Sequence, residues 1–381
     1  MERYPPSWRL KVKEAIREGM DHLLSLQAKE GSWGNPNDTH AVGHTALPVL
    51  ALLKGGTSPH AEPIQRAFTW LRKRPPTSTY SVGCYLMAIH AKYAPKAGSL
   101  DTDVGEETLG GPDPEEIHAR LEKEDLAALE AGLDFLVRAQ AVNGLWHYHV
   151  QEKPRPTDHD LSNTQYAILG LRAARDCGLE VPFAVWSEAL EGLYGLQDRE
   201  GPKVDLLDHR VKDGYVFERK DRARARGFRY SLRMKHGPRG ENTVPVNPTT
   251  GSMTTAGIAS VIICREGMWR SRKFRGQARR KSEQAVRDGL AWLQEHFTVA
   301  DNPGQEGRHH LYYLYGLERA GMLAARRWIG PHDWYKEGAD LLLGKHEDGK
   351  GWGDHKLTSF AVLFLKRATA GSRDAPVVTG R

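Results

Sequence analysis

The segment Asp158-His159-Asp160-Leu161-Ser162-Asn163 holds a pair of carboxylates whose spacing suits acid–base chemistry. Two neighbouring carboxylates repel each other's charge, so one of them can keep its proton near neutral pH and act as a general acid. We therefore predict Asp160, with Asp158, as the centre of a catalytic site. An alternative role for Asp160, Ser162 or Asn163 is to cap a helix, because these residue types are preferred N-caps.

Histidine and tyrosine side chains elsewhere in the chain could complete such a site. In the segment that starts at His309, we predict His310 and Tyr312 as the proton-transfer partners of Asp160. Substrate-binding side chains are predicted at polar and aromatic positions near the starts of buried helices: Asn163, His44, Tyr80, Trp146, Tyr313 and Thr255.

A zinc site is an alternative role for His40, His44, His309 or His310, because His40 and His44 lie one turn apart if they are helical. Histidines without a metal are the favoured interpretation. The sequence contains no DDxxD, HExxH or glycine-rich phosphate motif, and we predict no metal and no cofactor.

A repeat of two kinds of helix positions these residues. Six segments begin at a small residue and carry one apolar stripe, and each is followed by a segment that is apolar on almost every side. A helix with one apolar stripe packs on one side only, whereas a helix that is apolar all round is buried all round. The alternation predicts an all-α (α/α)6 toroid, in which six helical hairpins form two concentric rings and the inner helix starts surround a central cavity. The outer segments start at Gly19, Ala67, Gly132, Ala189, Gly289 and Gly338, and the inner ones at Thr45, Cys84, Thr164, Thr254, Tyr312 and Ser359.

The turns between paired helices share a second pattern. Gln27-x-x-x-Gly31-x-Trp33 recurs as Gln140, Gly144 and Trp146, more weakly as Gln197 and Gly201, and as Gly351 and Trp352. This pattern resembles the QW repeat of squalene-hopene and oxidosqualene cyclases, and the six-pair layout is similar to protein prenyltransferase β-subunits. The resemblance extends from about Ala15 to Ala368.

The resemblance implies an isoprenoid ligand in the central cavity and, for an enzyme, a squalene-hopene-cyclase-like isomerase or lyase. Class II terpenoid cyclases use Asp-x-Asp-Asp, whose middle acid protonates an alkene or epoxide. Asp158 and Asp160 match the first and middle acids, but Leu161 replaces the last one. The chain also has no room for the second helical domain of those enzymes. Two alternatives stay open: a non-catalytic binding toroid that uses its polar rim and basic insertion, and a polysaccharide lyase on a related toroid that uses a rim histidine or tyrosine.

Two connections interrupt the repeat of what we predict to be a single domain, residues 1–381. Residues 96–127 are predicted to be an acidic loop, and residues 201–251 a basic insertion. Within the insertion, Arg219 to Arg239 contains nine Lys or Arg and one acid, Asp221, a net charge of +8. We predict an irregular excursion outside the ring that docks on an anionic surface or polymer, without recognising a specific nucleic acid.

The remaining composition favours a cytoplasmic protein, with association to an anionic membrane surface as an alternative. No run of about 18 apolar residues is present, so no transmembrane segment is predicted. The first residues, MERYPPSWRL, are polar where a signal peptide is apolar, and the three cysteines show no disulfide or metal-binding spacing.

Overall fold

Twelve long helices dominate the computed structural model, which describes residues 4–94, 113–149, 159–212, 215–236, 243–347 and 349–369. A short helix, α5, precedes the third hairpin. In chain order the helices are α1 (Pro6–Ser25), α2 (Ala41–Gly55), α3 (Glu62–Arg72), α4 (Thr79–Tyr93), α5 (Pro114–His118), α6 (Lys123–Ala139), α7 (Leu161–Asp176), α8 (Phe183–Leu196), α9 (Gly251–Met268), α10 (Gln277–Glu295), α11 (His310–Leu323), α12 (Trp334–Lys345) and α13 (His355–Lys366).

Six of these helices form a closed inner ring. Helix α2 packs on α4, α4 on α7, α7 on α9, α9 on α11, α11 on α13, and α13 again on α2. The outer helices lie over the seams of this ring: α6 contacts α4 and α7, and α1 contacts α13 and α2. The toroid of six hairpins is confirmed, and every predicted start lies in a helix of the predicted ring.

The small residue shared by the outer helices marks their closest approach to the layer beneath. A Cβ atom added to Gly19 would lie 2.7 Å from the Trp352 ring, and one added to Gly132 would lie 2.7 Å from Leu86. These separations are too short for real contacts. The outer helices therefore need a small residue at this position to pack closely on the inner ring.

The turn tryptophans fill seams between neighbouring hairpins. Their indole N–H groups donate to a carbonyl ten residues earlier, so each ring is fixed to the outer helix of its own hairpin. The bonds run from Trp33 to Leu23 (2.7 Å), from Trp146 to Leu136 (2.8 Å) and from Trp352 to Leu342 (2.9 Å).

The turn glutamines join consecutive hairpins. The side-chain amide of Gln27 donates to the carbonyl of Gly31 at 3.1 Å and to that of Pro63, at the start of α3, at 2.8 Å. Gln140 makes the equivalent bonds to Gly144 (3.1 Å) and Val185 (2.9 Å). Each glutamine thus holds its own turn and the next outer helix together.

The basic insertion contains regular strands, and its prediction as an irregular excursion is wrong. Strands β1 (Lys203–Lys212) and β2 (Tyr215–Arg224) pair antiparallel, and the ribbon packs on α10. Alternation of exposed charged residues with buried ones such as Leu206 and Ala223 gives the ribbon one face that packs inward. A shorter antiparallel pair follows in the insertion, β3 (Met234–His236) with β4 (Thr243–Pro245). Another short pair, β5 (Trp328–Ile329) with β6 (His332–Asp333), lies between α11 and α12.

The insertion lies inside the turn of the fourth hairpin. Gln197 donates to the carbonyls of Arg226 (3.1 Å) and Ala285 (2.9 Å), and the backbone N–H of Phe228 donates to the Thr254 hydroxyl at 3.0 Å. In the third hairpin, the backbone N–H of Trp146 donates to the Thr164 hydroxyl in the same way. Phe228 therefore takes the place of the tryptophan, and Gly201 is not the turn glycine that the pattern predicts.

The acidic segment 96–127 is only partly within the described residues. Its later part contains α5, which Asp113 caps through the Glu115 N–H at 3.0 Å, and the first turn of α6. The prediction of a loop is wrong for these residues, because Asp113 caps α5 and the acidic side chains in the first turns of α5 and α6 stabilise helix starts. None of the helices in the described residues is long and apolar enough to cross a membrane.

Candidate functional site

Histidine and tyrosine rings cluster at one end of the toroid, where the inner helices start. His40 lies at the centre of this group, with ring centroids 5.9 Å from Tyr80, 5.6 Å from Tyr148 and 6.3 Å from a stacked His149. His44 lies 6.1 Å from Tyr80 and 5.9 Å from His355. We call this group the mouth cluster: His40, His44, Tyr80, Tyr148, His149 and His355.

The half-buried histidines of the mouth cluster are uncharged near neutral pH. Burial lowers the pKa of His40 and His355, and it lowers the pKa of His44 to about 4. The Lys356 ammonium lowers the His44 pKa further, while the Asp38 carboxylate, 3.9 Å from His44 Nδ1, opposes the shift. A neutral imidazole offers one hydrogen-bond donor and one acceptor, so the cluster can bind polar uncharged groups and can accept a proton.

Asp160 is the N-cap of α7. Its Oδ1 accepts from the Asn163 backbone N–H at 2.8 Å, and its Oδ2 accepts from Asn163 Nδ2 at 2.9 Å. The capping role is confirmed, and Asn163 is the partner that completes it. Burial raises the pKa of Asp160, although the two bonds from Asn163 favour the carboxylate. Asp158 lies outside the described residues.

A tyrosine of the insertion connects Asp160 with the mouth cluster. Tyr230 is hydrogen-bonded to the Asp160 and Tyr148 side chains, and burial, followed by the negative charge of Asp160, raises the pKa of the Tyr230 phenol. The Tyr230 carbonyl also accepts from the N–H of Leu161, the first residue of α7. Asp160 thus reaches the mouth through an intervening phenol.

A second network of polar side chains joins α7 to α11. The Tyr312 hydroxyl contacts Ser162 Oγ at 3.2 Å and accepts a bond from Gln165, whose Oε1 accepts from Arg319 Nη2 at 2.8 Å. The Arg319 guanidinium stacks 4.0 Å from the centroid of Tyr315. The predicted partner Tyr312, in the first turn of α11, therefore lies at the same end of the ring as Asp160, and its hydroxyl is already hydrogen-bonded to side chains of α7.

No family model matches the chain, and no curated protein matches it. Among solved structures, the chain is similar to the α-1,6-mannanase GH76A of Salegentibacter sp. HEL1_6, described as an inactive variant, with two aspartates replaced by asparagine, in complex with α-1,6-mannotriose. The TM-score is 0.53 at 8% identity, and the match covers 94% of this chain and 98% of the other. The fold is an (α/α)6 toroid. At this identity the likeness establishes the fold alone, and it supports a toroid without supporting the terpenoid cyclase family.

The predicted site residues divide into two groups. His44 and Tyr80 belong to the mouth cluster. The others that the structure describes are bonded within the protein: His310 Nε2 lies 2.7 Å from the Val299 carbonyl, the Tyr313 hydroxyl donates to the Thr298 carbonyl, the Thr255 hydroxyl donates to the Ser252 carbonyl, and Trp146 is a seam tryptophan. Trp146, Tyr313, Thr255 and Asn163 are almost completely buried.

Sequence patterns pointed to only part of the mouth cluster. The spacing of His40 and His44 and the helix start at His355 were detectable signals. Tyr148 follows the repeat tryptophan Trp146 by two residues and is among the aromatic residues that the pattern suggests for a pocket. His149 and Tyr230 come from connections without a repeat, so no sequence pattern indicates that they lie near the inner helices. Across the described ranges, no group of three or more His, Cys, Asp or Glu residues could hold a metal ion.

Proposed function

We propose that the mouth cluster binds an acidic oligosaccharide and cleaves it by elimination. The single observation that carries the proposal is a group of uncharged histidines packed beside tyrosines at the end of the ring where the inner helices start. Neutral imidazoles and phenols match the donors and acceptors of sugar hydroxyls, and ring faces cover their apolar surface. Support also comes from the toroid neighbour, whose structure contains a mannotriose.

Elimination needs a base, an acid and a cation that stabilises the carboxylate of a uronate sugar. His40 is the proposed base, because Ser78 Oγ contacts its Nδ1 at 2.9 Å and holds the ring in place. Tyr148 is the proposed acid, because it is exposed and adjacent to His40. Lys356 is the proposed cation, since its charge lowers the pKa of both His44 and His355.

The proposed step balances without an additional reactant. His40 takes the proton from the carbon next to the carboxylate, and the electron pair forms a double bond to the adjacent carbon. The glycosidic bond on that adjacent carbon breaks, and the Tyr148 hydroxyl donates its proton to the leaving oxygen. Asp160 acts indirectly in this scheme, through its hydrogen bond to Tyr230 and the contact of Tyr230 with Tyr148.

The test is incubation of the full chain with a panel of uronate-containing polysaccharides, followed by the ultraviolet absorbance of the unsaturated product. His40→Ala and Tyr148→Phe should each slow product formation by a factor of about 100 or more. His60→Ala changes an exposed histidine outside the cluster and serves as the matched control. Product formation at the wild-type rate in both mouth variants would exclude the assigned roles, and the absence of any cleaved substrate would exclude elimination.

An isoprenoid substrate is the second candidate, favoured by the aromatic rings around the axis. Tyr80 and Tyr166 lie edge-on at 4.7 Å, and Phe360 lies 5.8 Å from Tyr312 and 5.5 Å from Tyr315. Such rings can stabilise a carbocation. This candidate assigns proton donation to Asp160, so squalene turnover by the wild type and its loss in Asp160→Asn would favour isoprenoid cyclisation over elimination.

A further inference from the structure

The seam between the second and third hairpins has no aromatic side chain from the turn of the hairpin that precedes it. In the sixth hairpin, the Trp352 ring covers Gly19 on α1 while its indole N–H donates to the Leu342 carbonyl. In the fourth hairpin, Phe228 packs within 3.5 Å of the position where a Cβ of Gly289 would lie. The turn between α3 and α4 covers residues 73–78, Lys-Arg-Pro-Pro-Thr-Ser, which is short and contains no aromatic residue.

A groove lies in the seam between α3 and α6, where the aromatic ring is missing. Its volume is about 420 Å³, within the range of small-molecule sites. The walls of the groove correspond to those of the seam that Trp352 fills. Leu71 on α3 occupies the repeat position of Leu342 on α12, and Gly132 on α6 occupies that of Gly19 on α1. Further apolar lining comes from Val82, Tyr85, Leu86, Ala127, Ala131 and Phe135.

Polar side chains of the groove indicate which chemical groups a ligand should have. Tyr85 is 3% exposed, and its hydroxyl has no hydrogen-bond partner among the described residues. At the rim, Arg72 is paired with Asp125, but Arg74 has no ion-pair partner within the described part of the chain. The Arg74 guanidinium instead stacks on the Trp70 ring, 4.2 Å from its centroid. The lining contains one carboxylate, Glu124, against three arginines, Arg72, Arg74 and Arg138. This excess of positive charge favours a ligand with a carboxylate at one end.

We propose that this seam groove binds a planar aromatic carboxylate, whose ring takes the place that an indole occupies in the filled seams. The chain itself supplies the precedent for the ring, since a turn tryptophan is the natural occupant of this position in the repeat. Arg74 supplies the site for the carboxylate. This site lies on the outer face of the ring and is independent of the proposed function of the mouth cluster.

The proposal is tested by titrating the full chain with indole-3-acetate, indole and hexanoate in isothermal calorimetry. Indole-3-acetate should bind at one saturable site, more tightly than indole and much more tightly than hexanoate. Ala131→Leu places a larger side chain in the groove and should weaken both indole ligands at least tenfold. Arg74→Gln should weaken indole-3-acetate and leave indole unchanged.

Ala184→Leu is the matched control, because it changes an exposed alanine on α8, where Trp146 fills the preceding seam. Thermal unfolding of each variant shows that it is folded, and Ala127→Leu serves as a second groove variant if Ala131→Leu is unstable. Three results would overturn the proposal: no saturable binding of indole-3-acetate, hexanoate binding as tightly as indole-3-acetate, or loss of affinity in His40→Ala but not in the groove variants. The last result would locate the ligand at the mouth cluster.

Discussion

Replacing Asp160 separates its role as a helix cap from any role in proton transfer. In Asp160→Ala, α7 loses its cap, at a cost of about 1 kcal/mol. The Asn163 side-chain amide, which is 1% exposed, also loses its acceptor, and a buried unsatisfied donor costs about 1–3 kcal/mol. The expected decrease in the free energy of unfolding is therefore about 2–4 kcal/mol.

Asp354→Ala provides the matched comparison. Asp354 caps α13 through the N–H groups of Lys356 and Leu357, both at 2.9 Å, but it is exposed and supports no buried amide. Its loss should cost only about 1 kcal/mol. Both variants are measured by equilibrium unfolding in urea, and equal losses of stability would refute the argument that the Asp160–Asn163 bond stabilises the buried start of α7.

Three further predictions concern the mouth, the outer ring and the insertion. Because the pKa of His44 is about 4 in the folded chain and about 6.5 when unfolded, the unfolded state binds more protons between these values. Stability should therefore fall as the pH is lowered from 6.5 to 4, by about 1–2 kcal/mol, because solvent screening of the half-buried ring reduces the effect of the shift. Unfolding experiments on His44→Gln should show a smaller decrease. Gly19→Ala should destabilise the chain by about 1 kcal/mol in urea unfolding, because overpacking against Trp352 exceeds the gain in helix propensity, whereas Gly344→Ala, in open space, should stabilise it. A triple charge reversal in the exposed ribbon should reduce retention on a heparin column without changing thermal stability, and unchanged retention would rule out the ribbon as a docking surface: Lys220→Glu, Arg222→Glu and Arg224→Glu.

The ring arrangement was predictable because burial follows a local pattern. One apolar stripe or an entirely apolar surface can be recognised within a dozen residues, so Gly132 and Thr164 could be assigned to the outer and inner rings without knowledge of their neighbours. The capping role of Asp160 was predictable for the same reason, since a cap contacts residues three positions away.

The site and the insertion depend on contacts that no local pattern encodes. Tyr230 reaches Asp160 only because the insertion returns to the start of α7, and the bond from Gln197 to Arg226 spans the whole ribbon. The strands of the ribbon were not predicted because only one face of the ribbon packs on α10 and the other face is charged. Its high content of Lys and Arg indicated a solvated loop, although the alternating residues Val204 and Leu206 are compatible with a strand.

The closure of the ring has a consequence for how the chain folds. The contacts of α1 with α12 and α13 join distant residues: the Tyr4 hydroxyl bonds to Asp333, 329 positions away, and Trp8 bonds to Asp340 at 2.6 Å. At a synthesis rate of about 5–20 residues per second, α1 leaves the ribosome roughly 15 to 65 s before its partners do. During that interval the first hairpin has an uncovered apolar flank, which is a binding surface for chaperones and for the last hairpin of another copy. Domain-swapped dimers are thus the expected misfolded product, and their yield should rise with protein concentration during refolding.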